Sequence, residues 1–102
     1  MVIKVMKINL DSPQKIHFIG IGGISMSTLA FMAAERGIVV SGSDQREGDM
    51  TARLKAAGIT VHIGHNADNL GGADALVYTA AVKEDNPEFA AARERGIPCI
   101  RR

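Results

Sequence analysis

The sequence predicts an α/β fold: three α/β/α layers around an incomplete Rossmann-like parallel sheet of five strands in the order 3-2-1-4-5. Three observations predict it. From Lys15 onward, short apolar runs alternate with longer stretches of helical spacing, the pattern of successive βαβ units. The first run feeds a glycine-rich turn, Gly20-Ile-Gly-Gly23, that opens a helix, as at the head of nucleotide-binding sheets. The run Ala75-Leu-Val-Tyr78 is nearly all apolar, as expected of a central strand covered on both faces.

Residues 15–20 form the first expected strand. In residues 23–36, Met26, Leu29, Ala30 and Ala33 recur at helical spacing, and Gly37 stops the helix. Residues 38–40 give strand two. A helix over 49–57 turns Met50, Leu54 and Ala57 inward and ends at Gly58. Strand three covers 59–63, and a polar, glycine-containing stretch over 64–72 leads to strand four. Asn86-Pro-Glu88 supplies an N-cap, a proline at the first helical position and an acid in the first turn. That helix ends at Gly96, and residues 97–100 are strand five. Right-handed crossovers and a first strand feeding the glycine turn set the strand order and put the switch point between strands one and four. Residues 3–10 have strand-like spacing and end in the turn signal Asp11-Ser-Pro13. Residues 1–14 are therefore an N-terminal extension able to add an edge strand or cover the fold, and 15–102 are the domain.

Composition narrows the function classes. With 102 residues and 46% apolar content, the chain can bury one core. Twelve Lys and Arg against eleven Asp and Glu leave a net charge of +1, so nothing global draws it to nucleic acid or an anionic membrane. The single cysteine, Cys99, cannot form an internal disulfide, and no Cys/His spacing suits zinc. The start, Met1-Val-Ile-Lys-Val-Met-Lys7, has no apolar signal region, and no run nears the ~20 residues that span a bilayer. A cytoplasmic protein with no nucleic-acid partner, no metal site and no membrane insertion is expected.

The chemistry-bearing feature is the glycine turn. Gly20 permits the bend, and Gly22 and Gly23 lack a Cβ that would block phosphate oxygens from the backbone. The following helix adds roughly half a positive charge at its N-terminus, so a diphosphate can be held there without Lys or Arg. Alternatively, the glycines serve only a sharp turn. A dinucleotide fingerprint would place a third glycine where this chain has Ser25. Asp44 lies ~24 positions past Gly20, near the ~20-residue offset of a ribose-binding carboxylate, though Ser43 and Asp44 also suit a turn. Thr79-Ala-Ala-Val82 ends strand four across the switch point, with small side chains that let a ligand approach Thr79, Ala80, Ala81 and Val82. His65 and Asn66 follow strand three within reach of a ribose or base. His17 and His62, inside strands, read as packed neutral histidines, and Met26, Met32 and Met50 as core filler. Arg93-Glu-Arg95 reads as a solvated helix face, and Cys99 as a small buried hydrophobe.

The run Ile16-His-Phe-Ile-Gly-Ile-Gly-Gly-Ile-Ser-Met-Ser27 resembles the opening of the Mur ligase family. Ser41-Gly-Ser-Asp44, His65-Asn-Ala-Asp68, Thr79-Ala-Ala-Val82 and Asp85-Asn-Pro-Glu88 resemble it in the same order, so the resemblance covers nearly all of 15–102. It is closer to the alanine-adding branch than to the muropeptide-recycling branch, whose loop carries a cysteine and a Thr-Phe-Met-Gly run. The resemblance implies a domain that binds the UDP part of UDP-N-acetylmuramate. Gly20, Gly22, Gly23 and Ser25, with Met26 beside them, would lie at the diphosphate. Ser43 and Asp44 would lie by the uracil and ribose, His65 nearby, and residues 79–82 at the diphosphate and sugar. It also implies a middle domain for ATP and Mg²⁺ and a third domain that helps bind the amino acid. The family reaction makes an acyl phosphate of the muramate carboxylate, which the amine of L-alanine attacks. This chain has no G-x-x-x-x-G-K-[ST] loop and no assignable catalytic residue, so it reads as a fragment of a longer ligase that does not catalyse the reaction by itself. On the residues alone two other readings stay open: an NAD-binding domain of a dehydrogenase or redox-sensing regulator, favoured by Asp44 and opposed by Ser25, and a non-binding oligomerisation module using residues 3–10.

Overall fold

A computed structural model describes residues 14–102; the edge strand considered for residues 3–10 of the N-terminal extension lies outside the described residues. Within them nine elements follow in order: β1 (Lys15–Ile19), α1 (Ile24–Glu35), β2 (Val39–Asp44), α2 (Asp49–Ala56), β3 (Thr60–Ile63), a 3-10 turn (Ala67–Leu70), β4 (Ala75–Tyr78), α3 (Pro87–Glu94) and β5 (Cys99–Arg101). The sheet has the expected order β3-β2-β1-β4-β5, and all four pairings are parallel. The middle strand is β1, with β4 between it and β5.

Side chains of a strand alternate between faces, and here the alternation separates two cores. Ile16 and Phe18 of β1, Val40 of β2 and Ala75 and Val77 of β4 pack with Met26 and Ala30 of α1 and Leu54 of α2. On the other face Ile19 and Leu76 pack with Leu70 of the 3-10 turn and Phe89 and Ala92 of α3. Helical segments therefore cover both sides of the sheet. On the α3 face, His17, Ser41 and Ser43 occupy core positions and are all buried.

Several details differ from the sequence reading. Strand β2 runs on to Asp44 rather than stopping at Val40, because its polar residues pair in register with both neighbours: Ser41 with His17 and Thr60, and Ser43 with Ile19 and His62. Strand β5 begins at Cys99 rather than at 97. Met32 is 45% exposed, since it sits ~200° around the helix from the buried Ala30. Ala57 is exposed as well, being the C-cap of α2 rather than part of its inner stripe. Cys99 is only partly buried; burial raises its thiol pKa, which the charge of Arg93 opposes.

Gly42 is where the sheet admits the glycine turn. A Cβ there would meet Ile21 Cδ1 at 2.5 Å, Ile21 Cβ at 2.6 Å and the Phe18 carbonyl oxygen at 2.8 Å. Ile21 is wholly buried, so it seats the turn on the bare backbone of β2. Gly42→Ala should therefore cost about 2–3 kcal/mol by overpacking, read as a lower urea midpoint at unchanged m. Gly72→Ala, where a Cβ meets nothing within 4 Å, should stay within about 0.5 kcal/mol of the parent.

Candidate functional site

A cavity of about 550 Å³ opens at the C-terminal ends of the strands, and Gly20, Gly23, Asp44, His65 and Thr79 all line it. It lies at the β1/β4 switch point, where open α/β sheets bind ligands, and its size is that of a small-molecule site. Of the residues singled out from sequence, Gly20, Gly23, Ser25, Met26, Asp44, His65, Thr79, Ala81 and Val82 line it. Gly22, Ser43 and Ala80 do not.

Gly22 is turned away. Its N–H donates to Asp44 Oδ2 at 2.8 Å, and a Cβ on it would meet that oxygen at 2.8 Å and Thr51 Cγ2 at 3.2 Å. Its missing side chain makes room for Asp44 rather than for a phosphate. The other loop amides are also committed. Gly20 and Ile21 donate to the Ser43 carbonyl, and Gly23 donates to that of Gly20.

The open donors lie one step further along. The N-cap of α1 is Gly23, which offers no side-chain acceptor, and the first amide returned to the backbone is that of Ser27, to Gly23. The N–H groups of Ile24, Ser25 and Met26 thus have no partner among the described residues, as expected of an uncapped helix start. All three residues line the cavity. Lys83 lines it too, and the Arg102 Nε donates to Ser25 Oγ at 2.9 Å. The sequence reading needed no cation here; the fold puts Lys83, from the loop after β4, in the lining and Arg102, just past β5, against the Ser25 hydroxyl.

Asp44 closes the end of β2. Its Oδ2 accepts from Gly22 N–H and its Oδ1 from Gln45 N–H at 2.8 Å; each oxygen keeps a lone pair. Across the cavity Val82 N–H donates to the Thr79 carbonyl, a turn that points Ala80 away, toward a shallower crevice with Tyr78 and Phe89.

Beneath the wall lies a buried polar network that the sequence reading missed. Glu88 of α3 is wholly buried. Its Oε1 accepts from His17 Nε2 at 2.6 Å and from the Ser43 hydroxyl at 2.7 Å. Its Oε2 accepts from Asn66 N–H at 3.1 Å and Asn69 Nδ2 at 2.8 Å. His17 Nδ1 meets Ser41 Oγ at 2.8 Å, and His65 Nδ1 meets Ser43 Oγ at 2.9 Å. Burial by itself raises the Glu88 pKa; hydrogen bonds from His17, Asn69 and Ser43 and the charge of His17 outweigh it and lower the group from 4.5 to about 2. The available signal was the alternation His17, Ser41, Ser43, which puts three polar groups on one face of adjacent strands and demands a buried partner.

Among the described residues no group of three or more His, Cys, Asp or Glu is placed to hold a metal ion, and no helix is long and apolar enough to cross a membrane.

Over residues 15–102 the chain matches the family described as Mur ligase family, catalytic domain. It is 56% identical over 97 residues to UDP-N-acetylmuramate--L-alanine ligase of Agathobacter rectalis, covering 94% of this chain and 21% of that protein. It is 53% identical over 97 residues to the ligase of the same name in Bartonella tribocorum, covering 95% of this chain and 20% of that protein. The chain thus spans about a fifth of the length of these curated relatives. Among solved structures it superposes on UDP-N-acetylmuramate-alanine ligase of Thermotoga maritima with a TM-score of 0.84 at 43% identity, covering 86% of this chain and 20% of that one. Shikimate dehydrogenase of Aquifex aeolicus, at a TM-score of 0.56 and 16% identity over 88% of this chain and 42% of that one, shares the fold.

The Glu88 network sets a pH dependence. The folded pKa of about 2 lies below the ordinary 4.5, so the unfolded chain binds the proton more readily. The stabilisation is therefore complete above about pH 5 and is lost as pH falls from about 4.5 to 2, amounting to about 3 kcal/mol. Urea midpoints across that range should fall in the parent and stay flatter in Glu88→Gln, which is the less stable chain at neutral pH.

Proposed function

This chain belongs to the Mur ligase family, and from that premise we propose that it is the substrate-holding domain of an ATP-dependent ligase that adds L-alanine to UDP-N-acetylmuramate. The observation that carries the reading is the uncapped start of α1. Three backbone N–H groups, from Ile24, Ser25 and Met26, are open at the cavity, with Lys83 lining it and Arg102 on the Ser25 hydroxyl. That donor set suits a diphosphate, which takes up both the amides and the helix-end charge. Asp44 and His65 stand on the β2 and β3 side, where the uridine would lie, and Thr79, Ala81 and Val82 on the β4 side, next to the sugar. Gly22 and Ser43 support the site from behind, by shaping Asp44 and His65.

In this reading the domain binds and orients and carries no catalytic residue. ATP and Mg²⁺ activate the muramate carboxylate, so that the alanine amine can attack it, and belong to the portion of the relatives that this chain does not span. The chain itself fits neither, having no Gly-Lys-Ser/Thr phosphate loop and no metal-ligating group among the described residues. A cytoplasmic setting accords with the ATP requirement and the single cysteine. A dinucleotide is disfavoured because Ser25 stands in place of the third glycine; Asp44, whose oxygens each keep a lone pair, can accept from the ribose of either nucleotide.

Two measurements test this. UDP-N-acetylmuramate and UDP should each raise the melting temperature, by about 2.7 kcal/mol of stabilisation at a hundredfold excess over Kd, and NADH should not; stabilisation by NADH alone would sink the reading. Ile24→Pro should leave the fold intact, because proline suits the first helical position and Gly23 already has the extended backbone (φ −68°, ψ 154°) that must precede it. It removes one open N–H, so UDP affinity should drop about tenfold or more relative to Ile24→Ala. Equal affinity in the two would place the diphosphate elsewhere.

A further inference from the structure

His65 is the point at which the buried network meets the cavity. Its ring lines the cavity and is 17% exposed. Nδ1 faces inward, 2.9 Å from Ser43 Oγ and 3.5 Å from Glu88 Oε2. Nε2 has no hydrogen-bond partner among the described residues, and no buried side-chain nitrogen or oxygen there lacks one, so Nε2 is open to the cavity.

Counting protons leaves one arrangement. An ionised carboxylate only accepts, so Ser43 gives its single hydroxyl proton to Glu88 Oε1 at 2.7 Å. Ser43 Oγ then presents only lone pairs to His65, and Nδ1 must carry the ring proton. In the neutral ring Nε2 is left as a bare acceptor. The same carboxylate sets the opposite requirement on His17, whose Nε2 lies 2.6 Å from Oε1 and must donate.

We propose that Glu88, acting through Ser43, is a positioning residue that fixes His65 as its Nδ1–H tautomer, so that Nε2 accepts a hydrogen bond from a donor group of the bound nucleotide, a ribose hydroxyl or the imide N–H of uracil. The ligand half of this proposal rests on the uridine-nucleotide reading above; the tautomer half does not. The arrangement favours a nucleotide that offers a donor at this point over one that offers only acceptors, because two facing acceptors would leave Nε2 desolvated and unpaired.

Nitrogen-15 long-range correlation spectra of the 102-residue chain at about pH 8, where imidazoles are neutral, read the tautomer directly. In the ligand-free parent, His65 should show a protonated Nδ1 and a bare Nε2. In Ser43→Ala it should revert to the Nε2–H form that unrestrained imidazoles favour. A parent ring already in the Nε2–H form overturns the proposal and requires no variant to fold. Calorimetric titration with UDP, 2′-deoxy-UDP, 3′-deoxy-UDP and N3-methyl-UDP then identifies the donor. One analogue should bind the parent about three- to tenfold more weakly than UDP, and that gap should close in Ser43→Ala. Equal binding of all four to the parent, or a gap that survives in Ser43→Ala, overturns the ligand half. A parent that shows the expected tautomer yet binds no UDP sinks the nucleotide reading and the ligand half with it, and supports the positioning half.

Discussion

Burying a carboxylate costs several kcal/mol unless donors replace the water it loses, and that requirement organises one whole side of this domain. Glu88 meets it with four donors drawn from β1, β2, the loop after β3 and the 3-10 turn. Each donor is fixed by its own element, so the carboxylate ties the first turn of α3 to the sheet. Asn86, which caps α3 through Oδ1, also lines the cavity. The wall of the site is thus held by the same contacts that neutralise the buried charge. Removing one partner would leave that charge uncompensated, the situation in which buried ion pairs are most costly to break.

The glycine turn works differently from a simple phosphate cradle. Its own amides are spent on Ser43, Asp44 and Gly20, and its bend is seated by Ile21 against Gly42. What it delivers is the direction of α1. The uncapped first turn of that helix then faces the cavity with three open N–H groups, and the dipole of the helix adds to them. Rigidity of the turn and openness of the helix end are separate properties supplied by separate residues, which is why a bulky side chain at Gly22 would act on Asp44 rather than on a bound phosphate.

A shared fold leaves the ligand undetermined, as the similarity to shikimate dehydrogenase at the level of fold alone illustrates. Here the side chains around the cavity are each committed to a specific partner. Asp44 is bonded through both oxygens to the backbone at the turn and at Gln45, Ser25 shares its hydroxyl with Arg102, and His65 is held by Ser43.

The sequence by itself determined the sheet order and the place of the cavity, because both follow from local signals: apolar runs of strand length, a glycine turn between a strand and a helix, and the Asn86-Pro-Glu88 helix start. It also determined the family, through residues spread along nearly all of 15–102. It placed Gly20, Gly23, Ser25, Asp44, His65 and Thr79 together around one cavity, since residues at the C-terminal ends of parallel strands gather at the switch point. Only the tertiary structure decided which backbone groups stay unpaired, because that depends on partners such as Ser43 and Asp44, more than twenty residues from the turn. It alone made Glu88 more than a first-turn acid. The separation of 71 positions from His17 to Glu88 leaves no local pattern linking them, and only the folded sheet puts the imidazole, two serines and a carboxylate in one buried place.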